Sequence, residues 1–385
     1  MIHPVLPVRC HGKLFFPLCR TCAELSLQED CTHQAEERWL EGTWVTLEVQ
    51  KAISLGYKMI KIHEIWDFET TQFDGKSGGL FVDYVKKFLK MKQQASGWPS
   101  WVKTDADRAK YLSEYKRVEN IDLDPNKIES NPSLRAVSKI LLNSFYGKLG
   151  QRDSFIETRI LTEKSEIVKV FTNPSIDVQS FQPIADDFMI VNTKAIEESV
   201  RPSKKTNVIL AAFCTAQARL KLYELLEQVQ GLGVYVDTDS LFYLCPRDRE
   251  PIKTGDYLGE LTDEIIGYGE GSYISEFIGA GPKSYAYKVC IGGDPNNTVT
   301  VCKIRGFTLN HRASKIVNFE SIRKAVLEEG DTLTVNIPNK IARKPGWNVV
   351  TKSENKIYRV VYTKRRRLPD SYETLPFGAK KAKFQ

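Results

Sequence analysis

The stretch GVYVDTDSLFYL, residues 233–244, decides how the chain is read. Val234, Tyr235 and Val236 lead in, and Leu241, Phe242, Tyr243 and Leu244 lead out. Such β-branched, aromatic and aliphatic side chains favour strands. Between them Asp237-Thr238-Asp239-Ser240 has the composition of a tight turn. The expectation is a β-hairpin with two carboxylates at its tip, and in extended chain Asp237 and Asp239 point to one side. Hard divalent cations take oxygen ligands, and Mg²⁺ typically uses one or two protein carboxylates plus substrate phosphates. An ordinary polar turn has the same composition, so the hairpin by itself does not choose between the two.

The rest of the chain sets bounds. Its 385 residues suggest two or three domains with a sizeable core, and 42% apolar with 27% charged residues is a globular composition. No apolar run approaches the ~20 residues of a membrane span, and MIHPVLPVRCHGK does not read as a secretory signal. Eight cysteines in a chain of this length are not a disulfide scaffold, so a reducing, intracellular setting is expected. The net charge of +7 is compatible with a polyanionic partner. A basic tail, Lys364-Arg365-Arg366-Arg367 with Lys380, Lys381 and Lys383, suits phosphate contacts or a nuclear address, as well as a solvated tail.

Near the start, Cys19-x2-Cys22 followed by Cys31-x-His33 puts four metal-ligand side chains within fifteen residues. That spacing can close one tetrahedral Zn²⁺ site, with Cys10 and His11 as alternative donors; reduced buried thiols are the competing reading. Helical spacing is expected over 46–55, 80–91, 105–118, 133–146 and 207–226, and again over 319–328. Residues 57–66 alternate like a half-buried strand, with His63 a structural residue on it, and weak strands are expected near 155–161 and 167–171. Residues 256–266 read as an exposed turn with a short helix. In the 133–146 helix Arg135, Lys139, Asn143 and Tyr146 share a face, while Leu134, Val137, Leu141, Leu142 and Phe145 supply the buried side, and Gly147 ends it. Cations in a row suit triphosphate oxygens, and an aromatic ring beside glycine can lie against a base. In the 207–226 helix Ala211, Ala212 and Ala218 are small enough for close packing on a sheet. In Gly281-Pro282-Lys283-Ser284-Tyr285-Ala286-Tyr287 the lysine and tyrosines are expected on one face of a strand.

Three landmarks thus occur in order: Lys139-x3-Asn143-Ser144-x-Tyr146-Gly147, then Tyr235-x-Asp237-Thr238-Asp239-Ser240, then Lys283-x-Tyr285. Together they resemble motif B, motif C and the Lys-x-Tyr motif of family B DNA polymerases, and the closer likeness is to the protein-primed branch of Polinton/Maverick transposons. HPVLPVRCHGKLFFPLCRTC, RWLEGTWVTLEVQKAISLGY and YRVVYTKRRRLPDSYETLPFG resemble that group too, so the likeness spans nearly the whole chain. It implies an α+β fold, a partial polymerase right hand: an antiparallel palm sheet, helical fingers and a C-terminal thumb. The corresponding segments are 1–104 (residual palm with a zinc knuckle), 105–152 (fingers), 153–305 (palm with the hairpin) and 306–385 (thumb and basic tail).

The resemblance also implies roles. Asp237 and Asp239 become carboxylates of a two-metal Mg²⁺ site for nucleotidyl transfer, Asp239 being the more direct ligand. Arg135 and Lys139 neutralise the incoming dNTP, Asn143 and Tyr146 pack near the nascent base pair, and Lys283 with Tyr285 grips the primer end of a DNA primer-template. A terminal protein primer is an implied partner; a membrane is not. One departure matters: no Asp-x2-Ser-Leu-Tyr-Pro stretch precedes residue 139, and no Asp-x-Glu exonuclease region is found. The expectation is a C-terminal fragment with an under-liganded metal site and little or no polymerase activity alone. The alternatives are a non-catalytic DNA-binding remnant of a transposon polymerase and an RNA-templated polymerase, the latter disfavoured by the Lys-x3-Asn-Ser-x-Tyr-Gly helix.

Overall fold

Where the sequence is most strongly periodic the chain is helical, as a computed structural model shows for residues 4–70, 78–200, 203–328, 331–344, 348–368 and 371–380. Helix makes up 34% and strand 24%, and every pair of strands is antiparallel, an α+β arrangement of several small sheets. The chain divides into two compact units: Met1–Ile62 with Ala218–Gln385, and His63–Gln217.

In the His63–Gln217 unit, helices occupy Val82–Gln94, Asp105–Glu119 and Pro132–Leu149. The second begins with a capping box in which the Thr104 hydroxyl accepts from the Asp107 N–H. The third starts with Asn131 accepting from the Leu134 N–H and with Pro132 in the first turn, where a missing N–H costs nothing. It passes through Gly147 and is capped at Gly150, because one glycine weakens a helix by only ~1 kcal/mol. The Phe145 ring stacks on Tyr84 at 4.4 Å and meets Phe81 at 4.7 Å, joining the first and third helices. Leu134 and Val137, expected inside, are 39% and 53% exposed, whereas Ser138 is buried and Leu141, Leu142 and Phe145 are half-buried. Strands Glu157–Leu161, Phe188–Ala195 and Ile176–Ala185 form a sheet in that order. Residues 167–171 belong to a helix, Lys164–Phe171, whose Val170 packs with Leu161 and Val191. Short apolar runs fit either period, and here the helical one wins.

In the other unit, Tyr285–Cys290 is the central strand between Tyr273–Gly279 and Thr298–Lys303. Helices His311–Ile316 and Phe319–Leu327 and the long hairpin Thr332–Arg343/Val349–Arg359 share one core with this sheet, centred on Ala286, Val317, Ile322, Val335 and Tyr358. Burying each such aliphatic side chain contributes about 1.5–3 kcal/mol. A helix over Thr46–Ser54 carries Glu48, 2% exposed, which receives Arg219 Nε at 2.6 Å. Arg219 lies on the Val208–Val229 helix, so this ion pair ties two helices together. On that helix Ala211 is buried, meeting Gly150, and Ala212 is half-buried; Ala218 is exposed, and Ala216, fully buried, takes the close-packing role instead.

Residues 57–66 form no strand. Ile60, Ile62 and Ile65 are 58%, 55% and 73% exposed, and alternation makes a strand only when another strand bonds to it. Residues 256–265 hold no helix either; a single 3₁₀ turn follows at Ile266–Tyr268. No helix among the described residues is long and apolar enough to cross a membrane.

Candidate functional site

The hairpin forms as expected, with strands Gly233–Asp237 and Ser240–Tyr243 joined by a turn of Thr238 and Asp239. The geometry at its tip differs from the period-two expectation. Asp237 pairs with Ser240 across the ladder, whereas Asp239 sits in the turn and donates its N–H to the Asp237 carbonyl at 2.7 Å. The two carboxylates are therefore related by a turn, not by strand alternation. Thr238 takes φ 61°, a left-handed conformation that a β-branched residue rarely adopts.

Lys283 lies in a turn before the central strand, with φ 58°, and not on the strand face. Gly281-Pro282-Lys283-Ser284 closes on itself, the Ser284 N–H donating to the Gly281 carbonyl at 3.0 Å. This turn aims Lys283 Nζ at Asp237, 3.0 and 3.1 Å from its two oxygens, while the Lys283 N–H donates to the Tyr235 hydroxyl at 2.9 Å. Beneath it Tyr235, Phe242, Phe277, Tyr285 and Tyr287 form an aromatic cluster, with Tyr235 and Tyr285 centroids 5.0 Å apart. Tyr285 is 9% exposed, so its ring fastens the hairpin to the sheet and leaves Lys283 as the outward member of the pair. Burial raises the Tyr235 and Tyr287 hydroxyls above the usual tyrosine range.

In the other unit, Arg135, Lys139, Asn143 and Tyr146 are all exposed along the Pro132–Leu149 helix. Arg135 Nε donates to the Ser96 hydroxyl at 3.1 Å. Lys92, half-buried on the Val82–Gln94 helix, is pushed below the usual lysine range by burial and then by the charges of Arg135 and Lys139. Three cations thus share one patch. The sequence reading missed Lys92 because it lies on a different helix; its signal was only a basic residue in the last turn of that helix.

Cys19, Cys22, Cys31 and His33 come together as expected, with all four ligand atoms within 4.8 Å of one another. His33 Nδ1 lies 3.6 Å from Cys19 Sγ, 3.2 Å from Cys22 Sγ and 3.6 Å from Cys31 Sγ. Ligands at Zn–S and Zn–N bond lengths on a tetrahedron stand about 3.5–3.8 Å apart, so this set could hold a metal ion such as zinc. Burial raises the Cys19 and Cys22 thiols. Burial opposes ionisation of Cys31 too, but hydrogen bonds with His33 and Cys22 and the charge of Arg38 bring it down to about 7. Cys10 and His11 lie outside the set: Cys10 is buried in the adjoining apolar cluster, and His11 Nε2 meets the Glu24 carbonyl at 2.6 Å.

No protein-family model, no curated protein and no solved structure matches the chain.

The basic run at 364–367 is mostly engaged internally. Arg366, 2% exposed, pairs with Asp30, and Arg365 donates to the Thr374 hydroxyl at 3.0 Å and carbonyl at 2.8 Å. The Arg367 guanidinium sits over the rings of Tyr362 and Tyr372. Of that run only Lys364 is exposed, so three of its four cations are not a free phosphate-binding patch. Lys380 is exposed to solvent nearby in sequence, and Lys381 and Lys383 lie outside the described residues.

Proposed function

We propose that the chain carries part of a template-directed DNA polymerase of the protein-primed family B kind, acting on a DNA primer-template and dNTPs. One contact supports this above all: Lys283 Nζ on the Asp237 carboxylate at 3.0 and 3.1 Å, across 46 residues of sequence. Nucleotidyl transfer needs a carboxylate for metal and a cation for backbone phosphate at the same spot, and the contact joins one of each. Exposed pairs of this sort contribute only ~0–1 kcal/mol, so an incoming phosphate can draw the lysine away.

Asp237 and Asp239 would hold Mg²⁺, which when bound activates the primer hydroxyl and steadies the leaving pyrophosphate. Two protein carboxylates, one already engaged by Lys283, fit that ion only together with triphosphate oxygens. Arg135 and Lys139 would meet the triphosphate, Asn143 and Tyr146 the base pair, and Lys283 the primer backbone, with Tyr285 holding the lysine's turn in place. The lysine–carboxylate pair also favours a second reading, a DNA-binding remnant without turnover, because it leaves Asp237 satisfied inside the protein.

The test is fluorescence anisotropy with labelled primer-template, run beside primer extension with Mg²⁺ and dNTPs. We expect binding that weakens with salt and in Lys283→Ala, together with little extension. Tighter binding on adding the correct dNTP, lost in Asp239→Asn, separates the polymerase reading from the remnant. Absence of DNA binding at low salt would sink both, and robust extension would overturn the under-liganded site.

A further inference from the structure

The cysteine–histidine set is not an isolated loop, because the C-terminal segment is laid over it. The Leu18 N–H donates to the Phe377 carbonyl at 2.7 Å, and the Phe377 ring lies 5.9 Å from that of Phe15 in one apolar cluster with Cys19, Cys22 and Cys31. Gly378, at φ 84°, passes so close to Cys19 that a Cβ there would lie 2.3 Å from the cysteine Cβ and 2.5 Å from its backbone nitrogen. Further along, Arg366 pairs with Asp30 and donates to the Gln28 carbonyl at 3.3 Å. The segment therefore touches the 19–33 loop from both ends.

Arg38 joins the two chemically. Its Nη1 donates to Cys31 Sγ at 2.8 Å, and its Nη2 donates to the carbonyls of Leu18 and Gly378, each at 3.1 Å. A Zn²⁺ ion with three thiolates and a neutral imidazole carries a net charge of about −1, and a guanidinium on one ligand sulfur is the partner such a charge requires. Three closely spaced cysteines and a histidine gain little from proximity without an ion, whereas the second-sphere cation and the donor distances both suit one.

We propose that Cys19, Cys22, Cys31 and His33 hold one Zn²⁺ ion, and that this ion, by fixing the 19–33 loop, docks Arg366 and the stretch 376–379 onto the N-terminal segment. Arg38 is the positioning residue that carries the coupling. The proposal is independent of any polymerase activity.

The experiment uses the full chain purified without chelator. Zinc content by atomic emission should be about one ion per chain, and Co²⁺ in its place should give the strong visible bands and thiolate charge transfer of a tetrahedral site. Trypsin cleavage at 364–367 should be slow with zinc and roughly tenfold faster after chelation, reversed by adding zinc back. Cys22→Ser tests the ligands but could misfold, so Phe377→Ala is the companion variant. It replaces no ligand and takes away the ring that packs on Phe15, so zinc content should be kept while cleavage at 364–367 speeds up in its presence. A zinc content well below one, a weak octahedral cobalt spectrum, or cleavage indifferent to chelation would each overturn the proposal.

Discussion

Lys283 and Thr238 hold backbone conformations that side chains avoid, and both sit at the point where the hairpin meets the central strand's turn. A left-handed non-glycine residue costs ~1–2 kcal/mol, and such costs persist where surrounding contacts enforce them. At Lys283 the enforcing contacts are its N–H on Tyr235 and its ammonium on Asp237. We therefore expect Lys283→Gly to unfold at equal or slightly higher urea than the parent, and Lys283→Ala at lower urea by about 1 kcal/mol, while both lose DNA affinity. Equal stability of the two variants would show that the turn is not strained. The position of this lysine was legible in Gly281-Pro282-Lys283-Ser284, a turn composition; alternation with Tyr285 and Tyr287 misdirected the reading toward strand. Asp239 was misplaced for the same reason, since period two holds only while the chain stays extended. The meeting of Cys19, Cys22, Cys31 and His33 was legible, because spacing within one short loop nearly dictates it, while Cys10 and His11 were offered as alternatives and lie outside the set. Arg38 was not, because nothing in a sequence marks which arginine will turn back onto a sulfur.

Among the elements, the long helices were readable from their period, and caps mark where they start. Asn131-Pro132 starts one, Thr104 with Asp107 another, and Asn318 with Ser321 a third that begins at Phe319 as expected. Asn131→Ala should lower the stability of its unit by about 1 kcal/mol in urea unfolding, with the helix start fraying; no change would mean the 141–145 contacts alone fix this helix. Which face such a helix buries was less readable. Leu134, Val137 and Ile140 are exposed although they are apolar, so burial here follows the aromatic contacts of Phe145 rather than the count of aliphatic residues. Residues 57–66 failed as a strand because pairing is a property of two segments and the sequence pattern belongs to one.

Over the whole molecule, the +7 charge is less available than it looks, since Arg38, Arg219, Arg365 and Arg366 are all committed to partners inside one unit. Among the described residues, the cations that the proposed reading assigns to phosphate are Lys283 and the patch of Lys92, Arg135 and Lys139. If these four carry DNA binding, log Kobs should fall with log salt at a slope of roughly −3 to −4, and Lys92→Met should reduce that slope by about 1. A slope near −7 would mean that the whole net charge takes part. The α+β class was expected from the resemblance, whereas the division at residues 62 and 217 was not, because it depends on contacts between segments far apart in the chain. The overlay of Arg366 and residues 376–379 on the cysteine loop has a mechanical corollary. It closes some 350 intervening residues into a ring, so a pull applied between residues 18 and 380 loads that clasp first.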